Sequence, residues 1–170
     1  MIEQVKGDLL SLSEGILVHG CNTLGVMGAG FARQLRDRYP DAYRGYRQTF
    51  ARDGLVLGQL VLVGGMPRGL LEPPLGESLV EYRSIQIPER LIIANGMTQD
   101  RLAKYPGEVV VSYPAIEEVF LKVRILAAAT GLDVHFPMIG CGLAGGDWEK
   151  VSQLIEQGLG SNVRAHLWVL

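Results

Sequence analysis

The apolar positions of the chain fall into two kinds of run. Short, nearly continuous runs rich in Val, Ile and Leu cover Met1–Val5, Gly15–Gly20, Leu55–Val63, Ser78–Tyr82, Arg90–Ala94, Asp133–Pro137 and Arg164–Leu170. Runs of that length without alternation predict strands buried on both faces. Longer segments with a helical period predict helices at Gly28–Arg38, Pro40–Arg52, Pro114–Thr130 and Trp148–Gln157. The third of these is the clearest: Ile116, Val119, Phe120, Val123 and Ala127 recur on one face, and Gly131 stops it. In the last, Val151, Leu154 and Ile155 form the apolar stripe. Pro67–Gly76 and Gly96–Gly107 carry the proline, glycine and polar residues of loops. No repeat and no domain boundary is visible. Alternating strands and helices predict one domain over residues 1–170, three-layer α/β/α with a mixed, largely parallel central sheet.

Composition narrows the function classes more than the fold. With 170 residues and 48% hydrophobic content, the chain can bury one full core. A net charge of −2 gives no global attraction to nucleic acid or to a membrane surface. No apolar run has the length of a membrane span, and the polar start MIEQVKGD is not a signal peptide, so a cytoplasmic location is expected. Cys21 and Cys141 do not make a disulfide scaffold, and they lack metal-ligand spacing with the three histidines, so neither metal nor cofactor is expected. Arg33, Arg36, Arg38, Arg44, Arg47 and Arg52 face only Asp37, Asp41 and Asp53, with Tyr39, Tyr43 and Tyr46 interleaved. This stretch reads as a solvated helical hairpin first and as a nucleic-acid surface second.

Two glycine-rich joints between strand and helix carry the candidate chemistry. HGCNTLGVMGAG (His19–Gly30) places Gly28, Ala29 and Gly30 where a helix begins. Such a joint offers unpaired N–H groups and the positive end of a helix dipole, which suit a phosphate. IGCGLAGG (Ile139–Gly146) holds Gly140, Gly142 and Gly145 in G-x-G-x-x-G spacing, between the strand DVHFP and the helix near Trp148. The dinucleotide-binding reading fails on context, because only one strand follows and no acidic residue ends it to hold a ribose hydroxyl. The Walker pattern is absent. Together the two joints could grip a diphosphate from two sides.

The blocks VKGDLL, HGCNTLGVMGAGFARQL, LIIANGMTQ, SYPAIEEVF and FPMIGCGLAGGDWEKV follow one another across nearly the whole chain. In that order they resemble a macrodomain. The resemblance is closest to the branch holding terminal ADP-ribose protein glycohydrolase, antitoxin macrodomains that strip ADP-ribose from DNA, and ADP-ribose-1''-phosphate phosphatases. It implies ADP-ribose or a derivative as ligand, in a cleft at the strand ends. Asp8 of the GD motif would bind the adenine amino group, and Trp168 would either stack on the base or simply pack. Main-chain N–H groups of Gly28, Ala29 and Gly30, and of Ile139, Gly140, Cys141, Gly142, Leu143, Ala144 and Gly145, would hold the diphosphate and distal ribose. Asn22 would face that ribose, although by itself it reads as a turn former.

The same resemblance leaves the chemistry open. Relatives that hydrolyse acyl or DNA-linked ADP-ribose use a lysine just after the LII strand, where this chain has Asn95, and the protein hydrolase also uses an aspartate after GCGL, where this chain has Ala144. Lys104 lies further along the loop. The remaining candidates are Asp147, as a general base or as a helix cap, and His19, as a proton carrier or as a satisfied core residue. Three functions are therefore expected in competition: a hydrolase of an ADP-ribose 1''-phosphate, O-acyl or ADP-ribosyl linkage, a non-catalytic ADP-ribose reader, and a nucleic-acid-binding domain. The expected partners are the ligand and an ADP-ribosylated macromolecule.

Overall fold

The computed structural model describes residues 1–65 and 79–170. In chain order the elements are β1 (Ile2–Lys6), β2 (Glu14–Asn22), α1 (Gly30–Arg38), α2 (Pro40–Asp53), β3 (Leu60–Gly64), β4 (Leu79–Tyr82), β5 (Arg90–Gln99), α3 (Tyr113–Thr130), β6 (Val134–Phe136), α4 (Trp148–Leu159) and β7 (Ala165–Val169). A single 3-10 turn, Leu9–Ser11, follows β1. The predicted loop Pro67–Gly76 and the first residue of the predicted strand Ser78–Tyr82 lie outside the described residues.

The strands form one seven-stranded sheet in the order β1-β7-β6-β2-β5-β3-β4. Every neighbouring pair is parallel except β3 with β5. Side chains that alternate along each strand separate into two cores. Ile16, Val18, Leu60, Leu62, Ile92 and Ala94 pack under α3 and α4, against Ile116, Val119, Phe120 and Ile155. Leu17, Val61, Val63, Leu91 and Ile93 pack on the opposite face, against Leu35, Tyr39, Ala42 and Tyr46 of the α1–α2 hairpin. Both faces of the central strands are covered, which is why their sequences read as unbroken apolar runs.

Local signals set the longest helix. Ser112 accepts from the Ala115 N–H (3.3 Å) at its start, and Gly131, at φ 69°, closes its end. Two predicted boundaries move. Residues 56–59 form a turn rather than the start of β3: Gly58 takes φ 80°, and the Gln59 N–H donates to Val56 O (3.2 Å). In the other direction, β5 runs on through Asn95 and Gly96 to Gln99 instead of stopping at Ala94. The Asn-Gly pair reads locally as a turn. Here Asn95 finds partners inside the protein, and Gly96 leaves the space that Val119 fills, since a Cβ there would stand 2.8 Å from Val119 Cγ1.

Candidate functional site

The topology places a crevice between β2 and β6. These neighbouring parallel strands hand the chain to opposite faces of the sheet, β2 toward α1–α2 and β6 toward α4. Their following loops part above a shared edge, which is where open α/β sheets bind ligands. The two loops meet across it: a Cβ built on Gly30 would lie 3.9 Å from Leu143 Cδ1.

Asn22 ties down the first loop, residues 23–29. Its Oδ1 accepts from the N–H groups of Leu24 (3.0 Å) and Val26 (3.3 Å) and from the Tyr46 hydroxyl (2.7 Å), while its Nδ2 donates to Val26 O (2.8 Å). Asn22 is thus the turn former of the two readings, with one amide N–H left over. The loop delivers Ala29 to the N-cap position of α1, extended at φ −149°, with no side chain to cap the helix. Among the described residues no acceptor meets the N–H groups of Gly28, Ala29, Gly30, Phe31 or Ala32. A helix start left bare in this way is suited to an anion.

The second loop, residues 137–147, is folded back on itself. Gly145 takes φ 70°, and a Cβ there would stand 2.4 Å from Glu108 O. The Gly146 N–H donates to Gly140 O (2.7 Å), and Ala144 O accepts from Val110 (2.9 Å) and Val111 (3.2 Å). Within the predicted set, the N–H groups of Ile139, Cys141 and Gly145 are taken by Pro137, Met138 and Gly142 carbonyls. Those of Gly140, Gly142, Leu143 and Ala144 meet no acceptor among the described residues. Successive free amides, here at Gly142, Leu143 and Ala144, are the kind of group that suits an anion.

Asp8 and Trp168 stand together at the neighbouring edge, at the ends of β1 and β7. Gly7, at φ 149°, donates to Val169 O (2.9 Å) and lies beside the Trp168 ring. Asp8 is exposed, and one of its carboxylate oxygens accepts from the Leu10 N–H (2.9 Å), starting the 3-10 turn. Trp168 is half-buried, and its indole N–H donates to His135 Nδ1 (3.0 Å).

Other predicted residues are elsewhere or otherwise engaged. Asn95 stands in the middle of β5 and is fully buried, not in a loop beside the cleft. Its Nδ2 donates to Ala42 O (3.3 Å) and Val61 O (3.1 Å), which turns Oδ1 toward His19 Nε2 (2.6 Å). His19 therefore carries its proton on Nε2, since an amide oxygen can only accept. His19 is the satisfied core histidine of the two readings: it is 1% exposed, and burial lowers its pKa from 6.5 to about 4 despite the Asn95 hydrogen bond. Burial also pushes the Cys21 thiol well up and the Cys141 thiol to about 11, so neither is a thiolate near neutral pH. Asp147 caps α4, accepting from the N–H groups of Glu149 (2.8 Å) and Lys150 (3.4 Å). Lys104 is exposed, and its backbone N–H holds Glu108 (2.6 Å). In the arginine-rich hairpin, Arg33 and Arg36 share Asp37, Arg44 pairs with Asp41 and Arg52 with Asp53, so part of its positive charge is balanced within the hairpin itself.

Sequence reasoning passed over the apolar rim. Leu24, Val26, Met138 and Leu143 stay exposed around the crevice, Leu143 at 70%. Their place on glycine loops, outside any periodic run, was the available signal. A depression of about 520 Å³ lies elsewhere, against Gly64, Gly65, Thr130 and Leu132 at the far end of β5, and contains none of the motif residues.

The buried imidazoles predict an acid weakness. His19, and His135 with a pKa lowered to about 4 by burial and by His166, are neutral in the fold but take up protons near 6.5 when unfolded. Stability is unaffected above that pH and falls between pH 6.5 and 4, by about 3 kcal/mol from His19 and by less from the more exposed His135. Urea titrations across this range check it, and His19→Gln should flatten the curve.

No family model matches the chain. The DNA ADP-ribosyl glycohydrolase of Thermus aquaticus is 27% identical over 169 residues, covering 99% of this chain and 41% of that protein. The ADP-ribose 1''-phosphate phosphatase of Candida albicans is 26% identical over 162 residues, covering 92% of this chain and 93% of that protein. This chain therefore spans less than half the length of the glycohydrolase. The solved macrodomain of Thermus aquaticus DarG superposes with a TM-score of 0.69 at 25% identity, over 99% of this chain and 97% of that one. A sheet and helices that superpose on a solved macrodomain along nearly their full length give this chain the macrodomain fold.

Proposed function

We propose that residues 1–170 act as one macrodomain that binds ADP-ribose or a derivative across the strand-end crevice and hydrolyses a linkage at its distal ribose. The observation that carries this reading is the pair of unpartnered amide sets, at the start of α1 and at Gly140, Gly142, Leu143 and Ala144, on two loops that meet at Gly30 and Leu143. Each is suited to an anion, and together they fit a diphosphate. Asp8 would accept from the adenine amino group, with Trp168 beside the base. The exposed Val26 and Leu143 would cover the sugars. The names of the similar glycohydrolase and phosphatase support this ligand class.

For a 1''-phosphate, water would add to phosphorus, the bond from phosphorus to the sugar oxygen would break, and that oxygen would take the proton. His19 cannot serve, being buried and neutral. Asp147 is the carboxylate that follows the second loop, and the oxygen not used in capping α4 is left to orient water. The free amides would stabilise charge on the phosphate oxygens. A second reading, a non-catalytic reader, is favoured by two observations: Asp147 already serves as a helix cap, and both cysteines are protonated.

Phosphorus NMR with ADP-ribose 1''-phosphate separates the two. Release of inorganic phosphate that is lost in Asp147→Asn supports the hydrolase, and shifted diphosphate resonances without release support the reader. Absence of both overturns the site. In the same assay with ADP-ribose, Asp8→Ala should weaken binding by about 1.5–3 kcal/mol, the range for a hydrogen bond to a charged group. Unchanged affinity removes Asp8 from the site.

A further inference from the structure

We propose that Arg36 is a positioning residue for the anion-binding amides of the first loop, acting through the Met27–Gly28 peptide. This rests on the proposed diphosphate site. Arg36 Nη1 donates to Met27 O at 2.9 Å. The guanidinium is held in turn by Asp37, whose Oδ1 accepts from Nε and Nη2 at 3.1 Å each, and by the Tyr43 ring, with its centroid 5.8 Å away. It is therefore fixed behind the loop rather than free in solvent.

Among the described residues no peptide bond is cis, so the C=O of Met27 and the N–H of Gly28 point in opposite directions. Drawing the carbonyl toward α1 turns the Gly28 N–H away from the helices, to the exposed side of the loop. A charged donor on a peptide carbonyl also polarises the N–H of the same peptide and makes it a better donor. The neighbouring peptides follow one scheme. Asn22 Nδ2 holds Val26 O (2.8 Å), which turns the Met27 N–H outward, and Arg47 Nη1 holds Gly25 O (3.2 Å). Successive carbonyls of the loop thus face donors on its inner side, two of them guanidinium groups from α1 and α2. Without Arg36, the Met27–Gly28 peptide is free to rotate its amide out of line with an anion. The arginine acts on the ligand's charge without touching the ligand.

The test is a nitrogen-15 NMR titration with ADP-ribose on the wild type and on Arg36→Ala, Arg36→Lys and Arg36→Gln. In the wild type the Gly28 amide should move downfield on binding. Arg36→Ala should weaken affinity about tenfold, as expected for one charge-assisted hydrogen bond, and shrink the Gly28 shift while leaving the melting temperature nearly unchanged. Arg36→Lys should restore most of both, and Arg36→Gln only part. The proposal is overturned if Arg36→Ala binds like the wild type with the Gly28 shift intact. It is also overturned if the lysine variant, folded, is as weak as the alanine variant. If the wild-type Gly28 amide stays still at saturating ADP-ribose, the diphosphate site itself fails and this proposal fails with it. Should the alanine variant not fold, the lysine and glutamine variants carry the comparison.

Discussion

Asn95→Ala should lower stability by about 3–4 kcal/mol, the cost of orphaning buried polar groups and opening a small cavity. In a domain of this size that corresponds to a fall in melting temperature of roughly 10 °C. Asn95 is fully buried and serves three partners at once, taking the His19 Nε2 proton and supplying both its N–H groups to Ala42 O and Val61 O. Alanine leaves the imidazole N–H, in a site water does not reach, with only the weak acceptor Cys21 Sγ, 3.5 Å from Nε2 and 3.8 Å from Nδ1. ADP-ribose affinity of the folded variant should stay within about twofold of wild type, since surface-remote core changes leave distant sites nearly independent. Calorimetry and a binding isotherm check the two halves separately. A variant that melts like wild type but no longer binds would return Asn95 to the ligand site, where the motif comparison first put it.

Gly28→Val should do the reverse, abolishing binding while sparing the fold. Its glycine is exposed and takes no positive φ, and an added Cβ would meet only Val26 Cγ1, at an ordinary 3.5 Å. The backbone therefore accepts a side chain. The crevice does not, because a β-branched group at this point covers the amides at the start of α1. A loss of at least 100-fold in ADP-ribose affinity is expected, about 2.7 kcal/mol. The neighbouring joint contrasts: at Gly145 any Cβ would run into Glu108 O, so a substitution there confounds fold and site. Wild-type affinity in Gly28→Val, measured by calorimetry, would move the diphosphate away from the first loop.

The two glycine-rich joints of the candidate site were legible from the chain because glycine has few other uses at such places. Both glycine-rich loops lie where the sequence puts them, at strand-to-helix passages, and both carry unpartnered amides. The GD turn and Trp168 likewise meet at one edge, because their strands are neighbours in the sheet. What failed was any reading that needed a partner's identity. Asp147 has two local meanings, base or cap, and the distances to Glu149 and Lys150 N–H show one of its oxygens capping α4, which the chain alone did not decide. Asn22 likewise resolves into the turn former, through Tyr46, which lies on α2.

Local periodicity and turn chemistry by themselves determined the alternation of strands and helices, most helix ends, and the two joints where backbone is bare. These depend on residues within a turn or two of one another. The tertiary structure alone decided the strand order, the crevice between β2 and β6, the continuation of β5 through Asn95 and Gly96, and the burial of His19. Each depends on groups far apart in the chain, such as His19 and Asn95, separated by 76 positions. A polar residue reads as exposed or as a turn until a partner is within reach, and only the folded chain brings that partner to hydrogen-bond distance.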